Sequence, residues 1–464
     1  MPRHSSSALP AAQFTTAVTP SSHVPMLSVL RRLWRLALPL VLAQACFLGM
    51  NAVDTLFAGR FAASTLAGVG LGSSAIIAGY CLLMGICLGV APAVGRALGA
   101  QVDAAHLGAW TLGALQLGLV LWTLLFGLFQ VLAGPLASWI APEPQAAAEM
   151  QAYLRWSTWG FPALGAFFVL RNVLEAHGHS GPTLMWGAFA LGLNVILDAV
   201  LVSGWGPVPA LGAAGVGMAT SAVHWVLGLG MWWSLRRHPA TRQLRLRSAP
   251  AVRQGRKEMW QLGLPIGLAL LAESGLFALG GLLIAVYGTK VAAAHQIANT
   301  LSALAFMLQV GVGQAMCVLI SQAWGAGDAA RLQLAARAGV GSGLLLAVVV
   351  ASVYALAGDL LVAGFSLDAE VRRWGSAFML WAALFHIFDA LQALHAAGLR
   401  GLHQTAAVMR RTLLAYMGLA VPGMLLGVMV WRLPPTVIWW AFSAGLALAA
   451  VLLGLRFWAE LRKQ

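Results

Sequence analysis

The sequence of 464 residues predicts an all-α polytopic membrane protein with twelve transmembrane helices, arranged as two six-helix lobes related by a parallel internal repeat. The first observation is composition: 60% of the residues are hydrophobic, only 9% are charged, and the mean hydropathy is +0.81. The second is a succession of apolar runs of about twenty residues or more, the length at which a helix crosses a bilayer. The third is a repeat that relates the two halves of the chain. Together these observations exclude an ordinary soluble protein.

Residues 1–30 are rich in Ser, Thr, Pro and Ala, which predicts a disordered cytoplasmic tail. A cleavable signal peptide is not expected, because the first apolar run is a full span that follows Arg31, Arg32 and Arg35. The rest of the chain is predicted to form an N-lobe at 31–235, a basic cytoplasmic linker at 236–258 and a C-lobe at 259–464. Short connections rich in Gly and Pro separate the helices. The predicted helices are 36–59, 66–91, 106–133, 152–176, 183–204, 211–235, 259–287, 293–321, 331–357, 371–397, 408–431 and 436–458.

Basic residues predict the orientation, with both termini in the cytoplasm. The linker Arg236–Lys257 contributes eight basic residues, and the pair Arg410 and Arg411 falls on the same side. The opposite side keeps few, such as Arg60 and Lys290. Cytoplasmic loops of membrane proteins carry an excess of Lys and Arg, so the net charge of +14 indicates topology rather than a nucleic-acid partner. Membrane lipids are expected partners, including anionic lipid near the linker.

The internal repeat appears when the chain is shifted by 226 positions, which aligns Leu38–Ala100 with Leu264–Ala326 without a gap. Both segments open on Leu-Pro, at Pro39 and Pro265. Two halves in the same orientation form a parallel repeat about the membrane normal, which places a substrate site between the lobes. Each proline either permits its helix to bend, because proline removes a backbone hydrogen bond, or simply opens the helix.

A carboxylate, Asp54, lies well inside the first span. A charge at that depth costs roughly 2.5–3.5 kcal/mol on insertion scales and by default faces a bundle interior or a wet cavity. Asp54 is therefore either a hydrogen-bonded structural residue or, as we favour, part of a coupling or substrate site. Asn194 and Asp198 are four residues apart and share one helix face. With the hydroxyl of Thr220, these side chains form a candidate oxygen ligand set for Na⁺, by analogy with other hard cations.

The second half carries two further acids, Glu273 in the seventh span and Asp389 in the tenth. The spans contain almost no basic partner for the buried acids, and Arg171 is the one arginine expected near them. Unpaired carboxylates in an apolar span take up a proton or bind a cation, because desolvation disfavours their charged form. Either behaviour suits coupling to H⁺ or Na⁺.

Three other polar residues allow a structural interpretation. Glu175 and His177, near the cytoplasmic end of the fourth span, are as easily structural as functional. His386, one turn before Asp389, is expected to be a hydrogen-bonded core histidine rather than a proton relay.

An enzymatic function is not expected, since the sequence contains no GxxxxGK[ST] phosphate loop and no HExxH, CxxC or GxSxG motif. A membrane-embedded acid–base enzyme is the one enzymatic alternative. The four cysteines lie inside apolar runs without metal-ligand spacing, so they are interpreted as small core residues. No cofactor is expected apart from a coupling ion, Na⁺ or H⁺.

Four motifs resemble the multidrug and toxic compound extrusion (MATE) transporters. They are VDTLFAG in the first span, the Gly-Ala-x-x-Asp loop after the second, LGAAGVGMAT at the sixth and AAAHQIA at the eighth. The resemblance runs from about Arg35 to the C-terminus, and the motifs are specific as a set. Glu273, Gln296 and Asp389 resemble the NorM branch, whose second lobe carries these residue types on helices seven, eight and ten. The first-lobe set resembles the cation site of the DinF-like branch; its members are Asp54, Asn194, Asp198 and Thr220.

The resemblance implies an antiporter that exports cationic or amphipathic drugs by alternating access, coupled to Na⁺ or H⁺. The acids and polar residues of both lobes would hold the coupling ion. Na⁺ would bind either Glu273 with Asp389, or Asp54 with Asn194 and Asp198, and both choices stay open. Substrate would bind at Asp54, Gln296, Glu273 and Asp389.

The expected location is the bacterial inner membrane, and a monomer is the simplest expectation. The alternative from another class is a flippase for lipid-linked intermediates, because related folds move large anionic lipid precursors. A flippase would need a basic cavity, whereas the interior ionisable residues here are mostly acidic. A channel or a scaffold is less favoured, since neither requires acids in both lobes.

Overall fold

A computed structural model describes residues 25–141, 143–244 and 250–464, and over these ranges the chain is almost entirely helical. The first lobe contains eight α-helices. They are α1 Met26–Phe61, α2 Ala63–Leu88, α3 Val90–Gly99, α4 Ala104–Ile140, α5 Pro144–Ser157, α6 Phe161–Ala176, α7 Gly181–Leu201 and α8 Ala213–Arg237. The second lobe contains α9 Ala251–Ile284, α10 Thr289–Gly325, α11 Ala329–Ala363, α12 Ala369–Gly401, α13 Thr405–Ala415, α14 Val421–Leu425 and α15 Val437–Leu461.

These helices form twelve spans, because three spans are divided. The second span changes from α2 to α3 at Gly89, and the fourth contains the 3₁₀ turn Thr158–Gly160 between α5 and α6. The eleventh joins α13 and α14 through the π-helical turns Tyr416–Ala420 and Leu426–Val430. Eleven of the twelve are long and apolar enough to cross a membrane, and the exception is the fourth. The predicted all-α fold in two six-span lobes is confirmed.

Two predicted boundaries are wrong. Helix α1 begins at Met26, so residues 26–30 of the predicted tail are helical, while residues 1–24 lie outside the described ranges. The extension packs on the second lobe, where Val29 and Leu30 lie against a cluster that includes residues of α10 and α11. Helix α9 begins at Ala251, inside the predicted linker, and Trp110 of α4 stabilises it with a 2.9 Å hydrogen bond from its indole to Glu258.

Both repeat-related prolines lie inside their helices. Pro39 is in the interior of α1 and Pro265 is in the interior of α9. The interpretation that each proline opens its helix is therefore wrong. An interior proline removes one backbone hydrogen bond, so both helices have a weakened turn at the same repeat position.

The repeat is visible in the backbone. After α3 the N–H of Val102 donates to the carbonyl of Ala97 over 3.0 Å, and after α10 the N–H of Asp328 donates to the carbonyl of Ala323, also over 3.0 Å. In both cases the third residue after the helix donates to a carbonyl of the last helical turn, which is the hydrogen bond of the Schellman motif. Both partners are displaced by the same 226 positions as the sequence repeat.

The two lobes meet at one end of the bundle, called here the basic face, which carries the starts of α1 and α9 and the ends of α8 and α15. Two glycine pairs join α2 to α9: Gly85 faces Gly267, and Gly89 faces Gly263. A Cβ atom added at Gly85 would collide with the Gly267 backbone, and one at Gly89 would lie 2.8 Å from the Gly263 nitrogen. Each helix thus contributes a GxxxG pair, the pattern that lets membrane helices pack backbone against backbone. These four residues are called the glycine seam.

Side-chain hydrogen bonds between the lobes lie in the same half of the bundle. Arg32 donates to Gln322 over 2.7 Å, and the Cys81 thiol lies 3.2 Å from the Ser274 hydroxyl. Among the described residues, every side-chain hydrogen bond between the lobes involves residues nearer the basic face or at mid-helix. The lobes are therefore closed at the basic face. Among the described residues no side-chain hydrogen bond joins their other halves, and we infer that these halves border an inter-lobe cleft.

Candidate functional site

Four predicted residues from three helices come together in the first lobe, and they are called the first-lobe acid site: Asp54 on α1, Asn194 and Asp198 on α7, and Thr220 on α8. The Asn194 amide donates to the Asp54 carboxylate over 2.9 Å. The Thr220 hydroxyl donates to the other oxygen of Asp54 over 3.2 Å. Asp54 is 7% exposed and Asp198 is fully buried. The structure thus places the whole predicted set in one buried site.

The sequence of α7 explains how two polar side chains reach this position. Its buried residues are Thr183, Gly187, Ala190, Asn194 and Asp198, spaced by three or four. That spacing makes one narrow stripe along a helix. The other faces of α7 are apolar, with Phe189 and Ile196 exposed. The polar residues therefore occupy the face that packs on α1 and α8, where they meet Asp54.

Unpaired oxygen atoms mark this site as incomplete. Both carboxylate oxygens of Asp198 and the amide oxygen of Asn194 are buried without a hydrogen-bond partner among the described residues. Asp198 also lies beside Asp54, close enough for the two carboxyl groups to interact. Two adjacent buried carboxylates cannot both stay charged without compensation. The site is therefore suited to a proton or to a hard cation, for which oxygen is the preferred ligand atom.

A second pair of acids lies between α9 and α12. Asp389 is 2% exposed, Glu273 is half-buried, and the two are near enough for their charges to interact. Within the described ranges neither carboxylate has a side-chain hydrogen bond or an ion pair at 4 Å or less. This pair is called the second-lobe acid pair, and it resembles the first site in lacking an ion pair at 4 Å or less.

Sequence reasoning missed two residues beside the second-lobe acid pair. Tyr416, in a π-helical turn, is fully buried with an unpaired hydroxyl, and it lies within electrostatic range of both acids. Arg400 of α12 lies within range of Glu273, and its Nε atom is buried and unpaired. Arg400 follows Asp389 by eleven residues, three helical turns on the same face.

Arg171 was expected near the buried acids of the predicted sites, but it forms no ion pair with them. Its guanidinium pairs with Glu175 over 2.6 Å, and Gln314 of the second lobe donates to Glu175 over 3.3 Å and to Asn172 over 3.0 Å. Glu175 is therefore a structural residue of the lobe contact. His386 also differs from expectation: it is fully buried, but neither ring nitrogen has a hydrogen-bond partner among the described residues.

Gln296 makes no side-chain hydrogen bond to the acids within the described ranges, and its place on α10 puts it on the inter-lobe cleft. Gln44 of α1 contacts Met307 of α10 across the lobes, with 3.8 Å between its amide nitrogen and the sulfur. Gln296 precedes Met307 by eleven residues, so it lies on the same face of α10, and it is exposed. Asn51 and Thr55 follow Gln44 on α1 by seven and eleven residues, spacings that keep them on its face, and both are exposed. The cleft therefore has a polar lining from both lobes.

Comparisons of the sequence identify its relatives. A sequence model of the MatE family matches residues 39–200 and 265–426, one match in each lobe. The chain is 33% identical over 440 residues to "Multidrug resistance protein PmpM" of Pseudomonas aeruginosa, covering 94% of this chain and 92% of that protein. It is 31% identical over 440 residues to "Probable multidrug resistance protein NorM" of Chromobacterium violaceum, covering 93% and 94%.

Solved structures share the fold. The eukaryotic MATE transporter AtDTX14 matches with a TM-score of 0.85 at 18% identity, over 94% of this chain and 98% of that one. An outward-facing MATE family transporter of the MOP superfamily matches with a TM-score of 0.85 at 18% identity, over 96% and 100%.

Proposed function

Since the chain belongs to the MatE family of MATE transporters, we propose that it exports cationic or amphipathic drugs in exchange for Na⁺ or H⁺. Relatives in several bacteria are named multidrug resistance proteins, which supports efflux of several drugs. The family consists of transporters rather than enzymes, and its bacterial members are multi-pass membrane proteins. The observation that carries the coupling part is the pair of unpartnered, adjacent carboxylates in the first-lobe acid site.

The proposed orientation puts the basic face and both termini in the cytoplasm of a bacterial inner membrane, in agreement with the positive-inside rule. In that orientation the described conformation is closed inward, and the inter-lobe cleft opens outward. A monomer suffices, because both sites and the cleft are formed within one chain.

The first-lobe acid site is the proposed coupling site. A cation arriving from outside would bind between Asp54 and Asp198, with Asn194 and Thr220 as neutral ligands. Compensating these carboxylates removes the cost of burying them unpaired. Release of the cation to the cytoplasm requires the glycine seam to open, so that ion release and inward opening are one event.

The second-lobe acid pair is the proposed partner for the drug. Glu273 is half-buried and Asp389 is nearby, so a cationic group entering from the cleft can approach a carboxylate. Gln296 offers a polar contact on the cleft surface. Arg400 lies within electrostatic range of Glu273, and its positive charge limits how much negative charge the pair presents when no cation is bound.

Exchange requires that ion and drug disfavour each other's binding, with a coupling free energy of about 1–3 kcal/mol. In this proposal they favour opposite arrangements of the lobes. The ion favours the outward-open arrangement with an intact first-lobe site. The drug is taken up when the lobes have parted at the basic face.

Ethidium efflux from energised cells and inverted vesicles tests the proposal, with a Na⁺ pulse and a pH jump applied separately. We expect Asp54→Asn and Asp198→Asn to lower ion-triggered efflux by tenfold or more, and Glu273→Gln and Asp389→Asn to lower it mainly by weakening ethidium binding. Asp359→Asn is the matched control, since Asp359 is an exposed carboxylate that pairs with Arg372.

Two results would overturn the proposal. If neither gradient drives export of any cationic dye, the protein is not a drug antiporter of this kind, and the flippase alternative takes its place. If efflux survives both first-lobe variants but its ion dependence disappears in Glu273→Gln, coupling belongs to the second lobe.

A further inference from the structure

A cavity separate from both acid sites opens at the basic face of the second lobe. It lies among the start of α9, the turn between α12 and α13, the first turns of α13 and the end of α15, with a volume of about 400 Å³. Its lining includes Arg410, Arg411, Arg456, Gln404 and Gln261. Cavities of roughly 300–1,000 Å³ are of the size that binds small ligands or ligand head groups.

The charges of this cavity are not balanced. Arg456 pairs with Glu460 over 2.6 Å. Arg410 and Arg411 donate only to backbone carbonyls of their own helix, those of Ala406 and Ala407, over 3.3 Å each. Within the described part of the chain, neither has a carboxylate within 4 Å. Two guanidinium groups at the cavity wall therefore keep an uncompensated positive charge.

The backbone adds to the preference for an anion. Helix α13 is eleven residues long, and its first turn, Thr405–Ala407, lines the cavity. Its N-cap residue Gln404 makes no capping side-chain bond; its side-chain oxygen instead accepts from Arg456 over 3.4 Å. Free amides at a helix N-terminus carry a partial positive charge and bind phosphate or carboxylate oxygens. The Nε atom of Arg456 is buried without a partner among the described residues.

We propose that this cavity binds the phosphate of an anionic phospholipid headgroup from the cytoplasmic leaflet. Arginine favours phosphate because its planar group can donate two parallel hydrogen bonds. Basic pockets between membrane helices on the cytoplasmic side are suited to such headgroups.

Surrounding apolar side chains favour a lipid over a soluble phosphate. Trp260 beside Gln261 is 42% exposed, Leu414 one turn beyond Arg410 is 62% exposed, and Leu455 beside Arg456 is 69% exposed. In a membrane chain such side chains face the acyl region. A headgroup in the cavity could therefore leave its acyl chains along α13 and α15.

Lipid retention by the purified protein tests this proposal without any transport assay, so its failure is distinguishable from failure of the antiporter proposal. The protein in detergent is mixed with equal amounts of phosphatidylglycerol and phosphatidylcholine, and bound lipid is counted by native mass spectrometry. We expect phosphatidylglycerol to be retained preferentially. Arg410→Gln with Arg411→Gln should lower that retention about tenfold, the size expected when charged hydrogen bonds are lost.

Arg337→Gln is the matched control, because Arg337 is an exposed arginine of α11 that does not line the cavity. Arg456→Gln provides a second variant, and monodisperse gel filtration shows that each variant is folded. Equal retention of the two lipids by the wild type, or unchanged retention in both cavity variants, would overturn the proposal. A parallel melting experiment adds inorganic phosphate without lipid. Stabilisation by phosphate equal to that by phosphatidylglycerol, lost in the double variant, would overturn the lipid source in favour of a soluble phosphate.

Discussion

Asp198 is the residue on which the coupling proposal rests most directly. It is fully buried, and both of its oxygens are unpaired among the described residues. Its neighbour Asp54 accepts hydrogen bonds from Asn194 and Thr220, so Asp54 is the better stabilised of the two carboxylates. A cation bound here would stabilise the buried charge of Asp198 more than that of Asp54. Removing the Asp198 charge should therefore abolish binding of that cation.

We predict that Asp198→Asn abolishes ion-dependent stabilisation. The wild type should melt at a higher temperature in NaCl than in choline chloride, because a ligand that binds only the folded state stabilises it, by about 2.7 kcal/mol at a hundredfold excess over Kd. In Asp198→Asn this difference should vanish. If the ion is H⁺, the wild-type melting temperature should instead rise as pH falls, and the variant should lose that slope.

Differential scanning fluorimetry in detergent measures both dependences, and Asp389→Asn is the comparison variant from the other lobe. Equal Na⁺ and pH responses in wild type and Asp198→Asn would contradict the prediction. A response lost in Asp389→Asn alone would move the ion to the second-lobe acid pair.

The sequence predicts those parts of the site that depend on residue spacing within one helix. The four-residue spacing of Asn194 and Asp198 predicts one face of α7, because helix periodicity is a local property. Tyr416 and Arg400 could not be placed in the same way. Their proximity to Glu273 depends on how α9, α12 and the π-helical part of the eleventh span pack together, and spacing within one helix carries no such information.

Helix boundaries were mispredicted for a related reason. Residues 251–258 are mixed in composition, and residues 26–30, MLSVL, are only a short apolar run beside a tail rich in Ser, Thr, Pro and Ala, so the sequence alone favours linker and tail. Contacts with other helices stabilise them as helix, such as the bond from Trp110 to Glu258. The loop after the second span was easier to predict, because the sequence repeat pairs it with an equivalent loop in the second lobe. The structure shows the equivalence at Gln101, with a φ of 56°, and Gly327, with a φ of 67°.

The glycine seam leads to a prediction about α2 and α9. Gly85→Val should prevent closure at the basic face, because a side chain there collides with the backbone of Gly267 and no rotamer can avoid it. We expect at least a tenfold loss of drug export and a shift of the population toward an arrangement open at the basic face. Labelling of Cys81, which is 8% exposed beside Ser274, reports that opening in a background lacking the other cysteines.

Gly70→Val on the same helix is the control, since a Cβ at Gly70 meets no atom within 4 Å. It should leave export and Cys81 labelling unchanged. Wild-type export in Gly85→Val would show that transport does not require backbone contact at this seam.

If transport follows alternating access, the two lobes must separate at their contact on the basic face. The Cys81 thiol and the Ser274 hydroxyl lie 3.2 Å apart on opposite lobes. Ser274→Cys therefore places two thiols within reach of a disulfide. We predict that oxidation of this variant stops export and that reduction restores it, whereas Ser274→Ala is indifferent to oxidant.

Cross-link formation is verified by cutting a protease site introduced into the α8–α9 connection and running the halves on a non-reducing gel. A cross-linked protein that still exports ethidium at the wild-type rate would refute separation of the lobes at this contact. Transport would then have to proceed through bending within one lobe, for which the interior prolines Pro39 and Pro265 provide weakened turns.

The glycine seam also has a consequence for how such a protein can diversify. One part of the contact that must open and close is made by backbone at Gly85, Gly89, Gly263 and Gly267, so at these positions it offers no side chain whose chemistry could vary. The cleft, in contrast, is lined by side chains such as Asn51 and Gln296 that do not take part in closure. Substitutions that alter which compounds are recognised can therefore accumulate in the cleft without disturbing the glycine seam. Selection can therefore act on the range of exported drugs separately from the transport mechanism. A lineage can change its drug range and keep the same mechanism.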